Sequence, residues 1–229
     1  FRSAAPILAL RGVGRAYAAG QDTTWALRDV DLEIAGGEFV VLHGPSGCGK
    51  SSLLAIMGLL DEPTTGAVLI DGTEASALDA DARARIRGTA VGFVFQQFNL
   101  VPYFSVARNV ELPLTFHRTM TAAERQRRVH DALALVGMDT YGQRMPDQLS
   151  GGQQQRVAIS RALVTEPKLI LADEPTGNLD SANGDQVIAL LRAAHERGAT
   201  ICLVTHDPRY ERIGTRIVRL SDGRVVADR

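Results

Sequence analysis

Gly44-Pro45-Ser46-Gly47-Cys48-Gly49-Lys50-Ser51 fits the spacing G-x-x-x-x-G-K-[ST] at every fixed position. In a turn of this kind successive backbone N–H groups point inward at the α- and β-phosphates of a nucleotide, and the positive end of the following helix adds to the same field. Lys50 brings a full charge to the β- and γ-phosphates, and the Ser51 hydroxyl is placed to ligate a Mg²⁺ that bridges them. Cys48 contributes only its backbone. The pattern requires a strand before it and a helix after it. Residues 38–43 are apolar and partly β-branched, as a buried parallel strand should be. Residues 51–60 carry Leu53, Leu54, Ile56, Met57 and Leu60 at helical spacing. His43, at the strand end, is read as a satisfied histidine with no catalytic role.

A chain of 229 residues with 45% hydrophobic content can bury a large core, as one domain or one domain with an inserted lobe. Cys48 and Cys202 are too far apart for a C-x-x-C site, which argues against a disulfide framework or structural zinc and fits a reducing compartment. The net charge of −1 gives no global reason to bind nucleic acid, so no nucleic-acid partner is expected. No apolar run approaches the roughly 18 to 20 residues needed to cross a bilayer, and the chain is expected to be soluble by itself. It begins at Phe1 and not at methionine, which is compatible with a trimmed or fused start.

Before the cradle, residues 7–13 and 30–34 read as strands of an antiparallel flap. Tyr17 lies in it; its ring either stacks on an adenine or merely packs. After the cradle helix, residues 66–70 and the Asp71-Gly72 turn read as strand and hairpin, 79–87 as a short charged helix, and 91–95 as an apolar strand. That strand ends in Gln96, on the edge where α/β sheets place ligands; a surface glutamine is the bland alternative. From 98 to about 165 the composition turns helical. Thr121 opens a capping box with Glu124, the helix runs to Val136, and Arg125, Arg127 and Arg128 read as a solvated face. Val101, Tyr103 and Phe104 read instead as a docking surface.

Leu149-Ser150-Gly151-Gly152-Gln153 opens a further helix, with Ser150 as N-cap. This end either caps its helix and nothing more, or binds a second phosphate. Residues 169–172 form an apolar strand ending in Asp173 and Glu174; Asp173 is placed to hold Mg²⁺, and Glu174 to orient or deprotonate an attacking water. Adjacent carboxylates at a buried strand end are costly without a cation. Asp180 follows in a turn, residues 185–197 read as an amphipathic helix, and 200–205 as a buried strand ending at His206, within reach of a γ-phosphate. Asp222-Gly223 marks a closing hairpin.

The cradle, the Ser-Gly-Gly-Gln stretch and the strand into Asp173-Glu174, in this order, resemble the ATP-binding-cassette (ABC) transporter ATPases over essentially the whole chain. The resemblance implies an α/β P-loop NTPase core with a mainly parallel sheet, an N-terminal antiparallel β flap and an α-helical subdomain inserted at about 98–165, all in a single domain over 1–229. It implies ATP and Mg²⁺ as cofactors and ATP hydrolysis as the activity. Two cassettes then pack head to tail as a homodimer, so that Ser150, Gly151, Gly152 and Gln153 reach the nucleotide held by the other copy, with Asp180 in the loop that crosses the interface. By the same resemblance Gln96 ligates Mg²⁺ with Ser51 and Asp173, Glu174 is the catalytic base, His206 the switch histidine and Tyr17 the adenine-stacking aromatic. Ser52 stands where the family usually has threonine, and a hydroxyl is kept.

Residues 92–100, 109–114 and 177–181 are similar to the bacterial lipoprotein-release, macrolide-export and antimicrobial-peptide-resistance cassettes. Such cassettes serve transmembrane permease subunits from the cytoplasmic side of the inner membrane, and the segment after Gln96 receives a permease helix. The competing readings are a polar amino-acid importer cassette and a regulatory ATPase of a membrane complex. DNA-repair cassettes carry coiled-coil or zinc insertions, and this chain has neither heptad runs nor a metal cluster.

Overall fold

A computed structural model describes residues 6–19, 22–117 and 119–229. The elements among them run β1 (Pro6–Ala19), β2 (Asp22–Ala35), β3 (Phe39–His43), α1 (Lys50–Met57), β4 (Thr65–Ile70), β5 (Thr73–Glu74), α2 (Ala80–Ala90) and β6 (Val91–Phe95). They continue with α3 (Val106–Glu111), α4 (Ala122–Leu135), α5 (Gly151–Leu163), β7 (Leu169–Asp173), α6 (Ser181–Glu196), β8 (Thr200–Val204), β9 (Arg216–Ser221) and β10 (Arg224–Asp228).

The central sheet has the order β10-β9-β3-β8-β7-β6. All its neighbours pair in parallel except the edge hairpin of β9 and β10. A second, antiparallel sheet has the order β2-β1-β4-β5. The near-continuous apolar sequences of β3, β7 and β8 follow from burial on both faces. Phe39, Val41, Ile170, Ala172, Ile201 and Leu203 enter one core, shared with α3 to α6. Their neighbours Val40, Leu42, Leu169, Leu171, Cys202 and Val204 enter another, shared with α1 and the antiparallel sheet. Both cysteines are free and buried, and burial pushes the Cys202 thiol up to about 12. Among the described residues no helix is long and apolar enough to cross a membrane.

Several boundaries differ from expectation. The flap strands are not two short segments but a 14-residue pair, β1 and β2, whose register shifts at four points. Such bulges destroy the period-2 alternation by which strands are recognised. The helix expected from 185 begins at Ser181, because Asp180 caps it by accepting a hydrogen bond from the Asn183 N–H at 2.9 Å. The box at the start of α4 is half-formed: Thr121 caps the Glu124 N–H, whereas the Glu124 carboxylate lies 3.6 Å from Arg128. Arg125 is not simply solvated, since it donates to the Met120 carbonyl at 3.3 Å.

Arg216 joins the two sheets. Its Nε and Nη2 donate to the two Asp228 carboxylate oxygens at 2.6 and 2.5 Å, and its Nη1 to the Glu33 carbonyl at 2.8 Å and to Glu38 at 3.0 Å. The guanidinium holds the Asp228 carboxyl below the usual carboxylate range. A carboxylate with a depressed folded-state pKa stabilises the fold above its unfolded pKa and loses that contribution as pH falls through the folded value. Arg216→Ala is therefore expected to lower stability at neutral pH by about 1 kcal/mol, solvent screening limiting the effect. In urea titrations the gap from wild type should narrow below about pH 4. A gap independent of pH would assign the effect to the Glu33 contact and side-chain packing.

Candidate nucleotide site

The carboxyl ends of β3, β7 and β8, the start of α1 and one residue of the flap, Ala26, enclose a cavity of about 560 Å³. Ser46, Gly47, Gly49, Lys50, Ser51 and Ser52 form its phosphate-cradle wall, and Gln96, Asp173, Glu174 and His206 face them. Gly49 caps α1 with φ +103°, and a Cβ there would come within 2.5 Å of the Ala26 carbonyl. Only glycine accommodates both that left-handed backbone and the close approach of the flap.

Lys50 is 7% exposed. Its ammonium donates to the carbonyls of Gly44 at 2.7 Å and Pro45 at 2.9 Å, so the charge is held inside the loop it serves. Gly44 and Cys48 are buried beneath the loop, and they and Pro45 do not line the cavity.

Across the cavity the Ser51 hydroxyl donates to Asp173 Oδ1 at 3.5 Å. Burial pushes the Asp173 carboxyl up; the Ser51 hydrogen bond opposes the shift, Glu174 adds to it, and Lys50 opposes it. Two hard oxygens on a partly desolvated carboxylate and a hydroxyl fit Mg²⁺, which is commonly held by few protein ligands plus phosphates and water. Among the described residues no group of three or more His, Cys, Asp or Glu is placed to hold a metal ion.

Glu174 has φ +44°, with its N–H donating to the Val204 carbonyl at 3.0 Å. A left-handed glutamate stores backbone strain of order 1–3 kcal/mol, a feature that clusters at functional sites. Its Oε2 lies 2.6 Å from His206 Nδ1, on a histidine whose side chain is 68% exposed. The segment that follows His206 is anchored to α6 by the Tyr210 hydroxyl, which donates to Asp185 at 2.5 Å. Gln96 and Asn178 form a reciprocal pair: the Gln96 amide donates to Asn178 Oδ1 at 3.2 Å, and the Asn178 amide to the Gln96 carbonyl at 3.0 Å.

The remaining expected residues lie elsewhere. Tyr17 does not line the cavity; its hydroxyl donates to Asp61 at 3.0 Å, and Arg15 lies 4.6 Å from its ring centroid. Ser150 and Gln153 form a complete capping box, with the Gln153 side chain accepting from the Ser150 N–H at 2.9 Å. The start of α5 is outside the cavity and is packed on α6, where any side chain at Gly152 would collide with Asn183. Asn183 also donates to the Asp180 carboxylate at 2.7 Å, and these hydrogen bonds hold that carboxyl below its ordinary range.

Three contributors were not legible as site residues: Ala26, Asn178 and Gln155. Gln155 is fully buried in α5, and its amide donates to the carbonyls of Pro175 at 2.7 Å and Phe95 at 3.3 Å. The signal for it existed, because a glutamine at position 155 interrupts a stripe of small and apolar residues at 152, 159 and 162.

A phosphate cradle after β3, two carboxylates at the end of β7 and a histidine after β8, the strand between them, define a P-loop nucleotide hydrolase. The chain belongs to the ABC transporter family, whose model matches residues 27–177, and it is that family's ATP-hydrolysing, nucleotide-binding cassette. It is 50% identical over 226 residues to the lipoprotein-releasing system ATP-binding protein LolD of Anaeromyxobacter dehalogenans, covering 98% of this chain and 95% of that one. It is 46% identical over 225 residues to the macrolide export ATP-binding/permease protein MacB 1/2 of Paracoccus denitrificans, of which it spans only 34%. The fold matches the cassette MJ0796, solved as a dimer in a post-hydrolysis state bound to ADP and Pi, with TM-score 0.90, 45% identity and 97% coverage of both chains.

Proposed function

We propose that this chain powers a bacterial inner-membrane transporter of the lipoprotein-release or macrolide-export kind, working as a homodimer on the cytoplasmic side of the membrane. The observation that carries the proposal is the division of the machinery. Lys50, Ser51, Asp173, Glu174 and His206 converge on one cavity, whereas the capped start of α5 lies outside it and offers two more backbone amides. A second copy related by a two-fold axis would bring that helix start over the nucleotide, giving an isologous interface.

In this reading Lys50 leaves its loop carbonyls for the β- and γ-phosphates. Ser51, Asp173 and Gln96 would hold a Mg²⁺, which would supply neutralisation of charge on the transferring phosphoryl group. Glu174 orients a water in line with the γ-phosphorus and accepts its proton, and His206 holds Glu174 until a γ-phosphate oxygen replaces it. Gly151, Gly152 and Ser150 close on that oxygen from the opposite copy, and Asp180 holds the interface loop in shape.

The chain is one domain over 1–229, with the helical segment 98–165 inserted between neighbouring strands β6 and β7. The permease is received beside that insertion. A cavity of about 390 Å³ there is walled by Phe93, Phe95, Pro113 and Phe116, with Arg87 and Arg161 among its polar groups. Arg161 donates to the carbonyls of Phe98 at 2.8 Å and Asn99 at 2.5 Å, the two left-handed residues that follow Gln96. Tyr103, 86% exposed, is available to the same partner.

Phosphate release from ATP by the purified chain tests the proposal directly. Wild type should turn over only with Mg²⁺, and Lys50→Ala should lower kcat by roughly 100-fold or more through lost charge stabilisation. A well-folded wild type that binds ATP and releases no phosphate would refute the reading.

A further inference from the structure

We propose that Gln155 is a positioning residue that ties the two catalytic loops of one cassette to the helix whose start serves the opposite nucleotide. The inference rests on the functional reading above. Gln155 lies in α5, one turn beyond the Gly151-Gly152 end, and is fully buried. Its amide nitrogen donates to the carbonyl of Pro175, the residue after Glu174, at 2.7 Å, and to that of Phe95, the residue before Gln96, at 3.3 Å. Both acceptors are carbonyls, so only the NH₂ end of the side chain can face them. Three elements, α5 and the carboxyl ends of β6 and β7, therefore meet on one nitrogen.

The other end of the same amide is stranded: Gln155 Oε1 is buried without a hydrogen-bond partner. Leucine would fill the same space on this stripe and relieve the stranded oxygen, but it would leave the buried Pro175 carbonyl without this donor, so packing alone does not account for a glutamine here. What glutamine supplies and leucine cannot is the double donation to the backbones next to Gln96 and Glu174. A movement of α5 as its start closes on a second copy is then transmitted to both loops of its own site. Engagement of one nucleotide thereby adjusts the water-orienting glutamate over the other.

The test compares wild type with Gln155→Leu and Gln155→Glu, reading nucleotide affinity, thermal midpoint, and kcat and KM for Mg²⁺-ATP. Gln155→Leu should keep affinity and KM within about twofold while kcat falls on the order of 10- to 100-fold, the penalty of a misplaced reacting group. Gln155→Glu should recover as pH falls, measured as a rising ratio of its kcat to that of wild type, because only the protonated acid carries a donor. An unchanged kcat in Gln155→Leu overturns the proposal, as does a parallel loss of kcat, affinity and thermal midpoint. Should Gln155→Leu fail to fold, the pH profile of Gln155→Glu decides, a flat ratio being the negative result. Wild type lacking turnover would count against the functional reading itself, which keeps the two failures separate.

Discussion

Glu174→Gln is expected to abolish turnover while leaving ATP bound, and to convert the chain from monomer to an ATP-dependent dimer in sedimentation at micromolar concentration. The side chain it replaces sits at the end of β7 on a left-handed backbone, hydrogen-bonded to His206. Glutamine keeps the shape and the capacity to hold a water but cannot accept its proton. Loss of a positioned general base costs roughly 100- to 10 000-fold in rate. The cradle is untouched, because Lys50, Ser51 and the loop amides do not depend on Glu174. With binding kept and hydrolysis stopped, the proposed sandwich has no exit and should accumulate. A variant that binds ATP and stays monomeric would show that closure requires the permease, or that no sandwich forms.

Ser150→Arg in the Glu174→Gln background should remove the dimer by two orders of magnitude or more in association while ATP affinity persists. Two effects add. Arginine cannot replace the Ser150 hydroxyl that accepts from the Gln153 N–H, and an N-cap of this type stabilises its helix by about 1 kcal/mol. The larger effect is steric: a long side chain occupies the space over Gly151 and Gly152 that, in the proposed homodimer, receives the partner's phosphate. Ser150→Ala separates the two, since it loses the cap without adding bulk, and should weaken the dimer far less. If Ser150→Arg leaves the dimer intact, the α5 start does not meet the opposite nucleotide.

How far the site could be read from sequence depended on whether a residue's role is local. The cradle, β3, β7 and β8 are local: spacing and unbroken apolar runs carry them, and they emerged with nearly their observed bounds. The N-cap at Ser150 is local too, although the reciprocal bond from Gln153 was not read from the sequence. Gln155 and Asn178 act on residues 60 and 82 positions away, and no local pattern encodes those partners. The flap was only half-legible because its bulged, small-residue middle does not alternate, so the approach of Ala26 to Gly49 could not be foreseen. Tyr17 was legible only by residue type; the contacts of its ring with Arg15 and of its hydroxyl with Asp61 are not encoded by any spacing.

The grip of Lys50 on Gly44 and Pro45 bears on how nucleotide arrives. An ammonium already engaged by the carbonyls of Gly44 and Pro45 holds the loop in shape in advance. Binding is then an exchange of ligands on a cation and not the folding of a loop, so little chain entropy is lost and capture can run at the pace of diffusional encounter. The same exchange sets a threshold: a weak anion must outcompete two short hydrogen bonds before it gains the lysine, whereas a polyphosphate brings enough charge to do so. The loop is its own first ligand, and nucleotide affinity is measured from that self-liganded state.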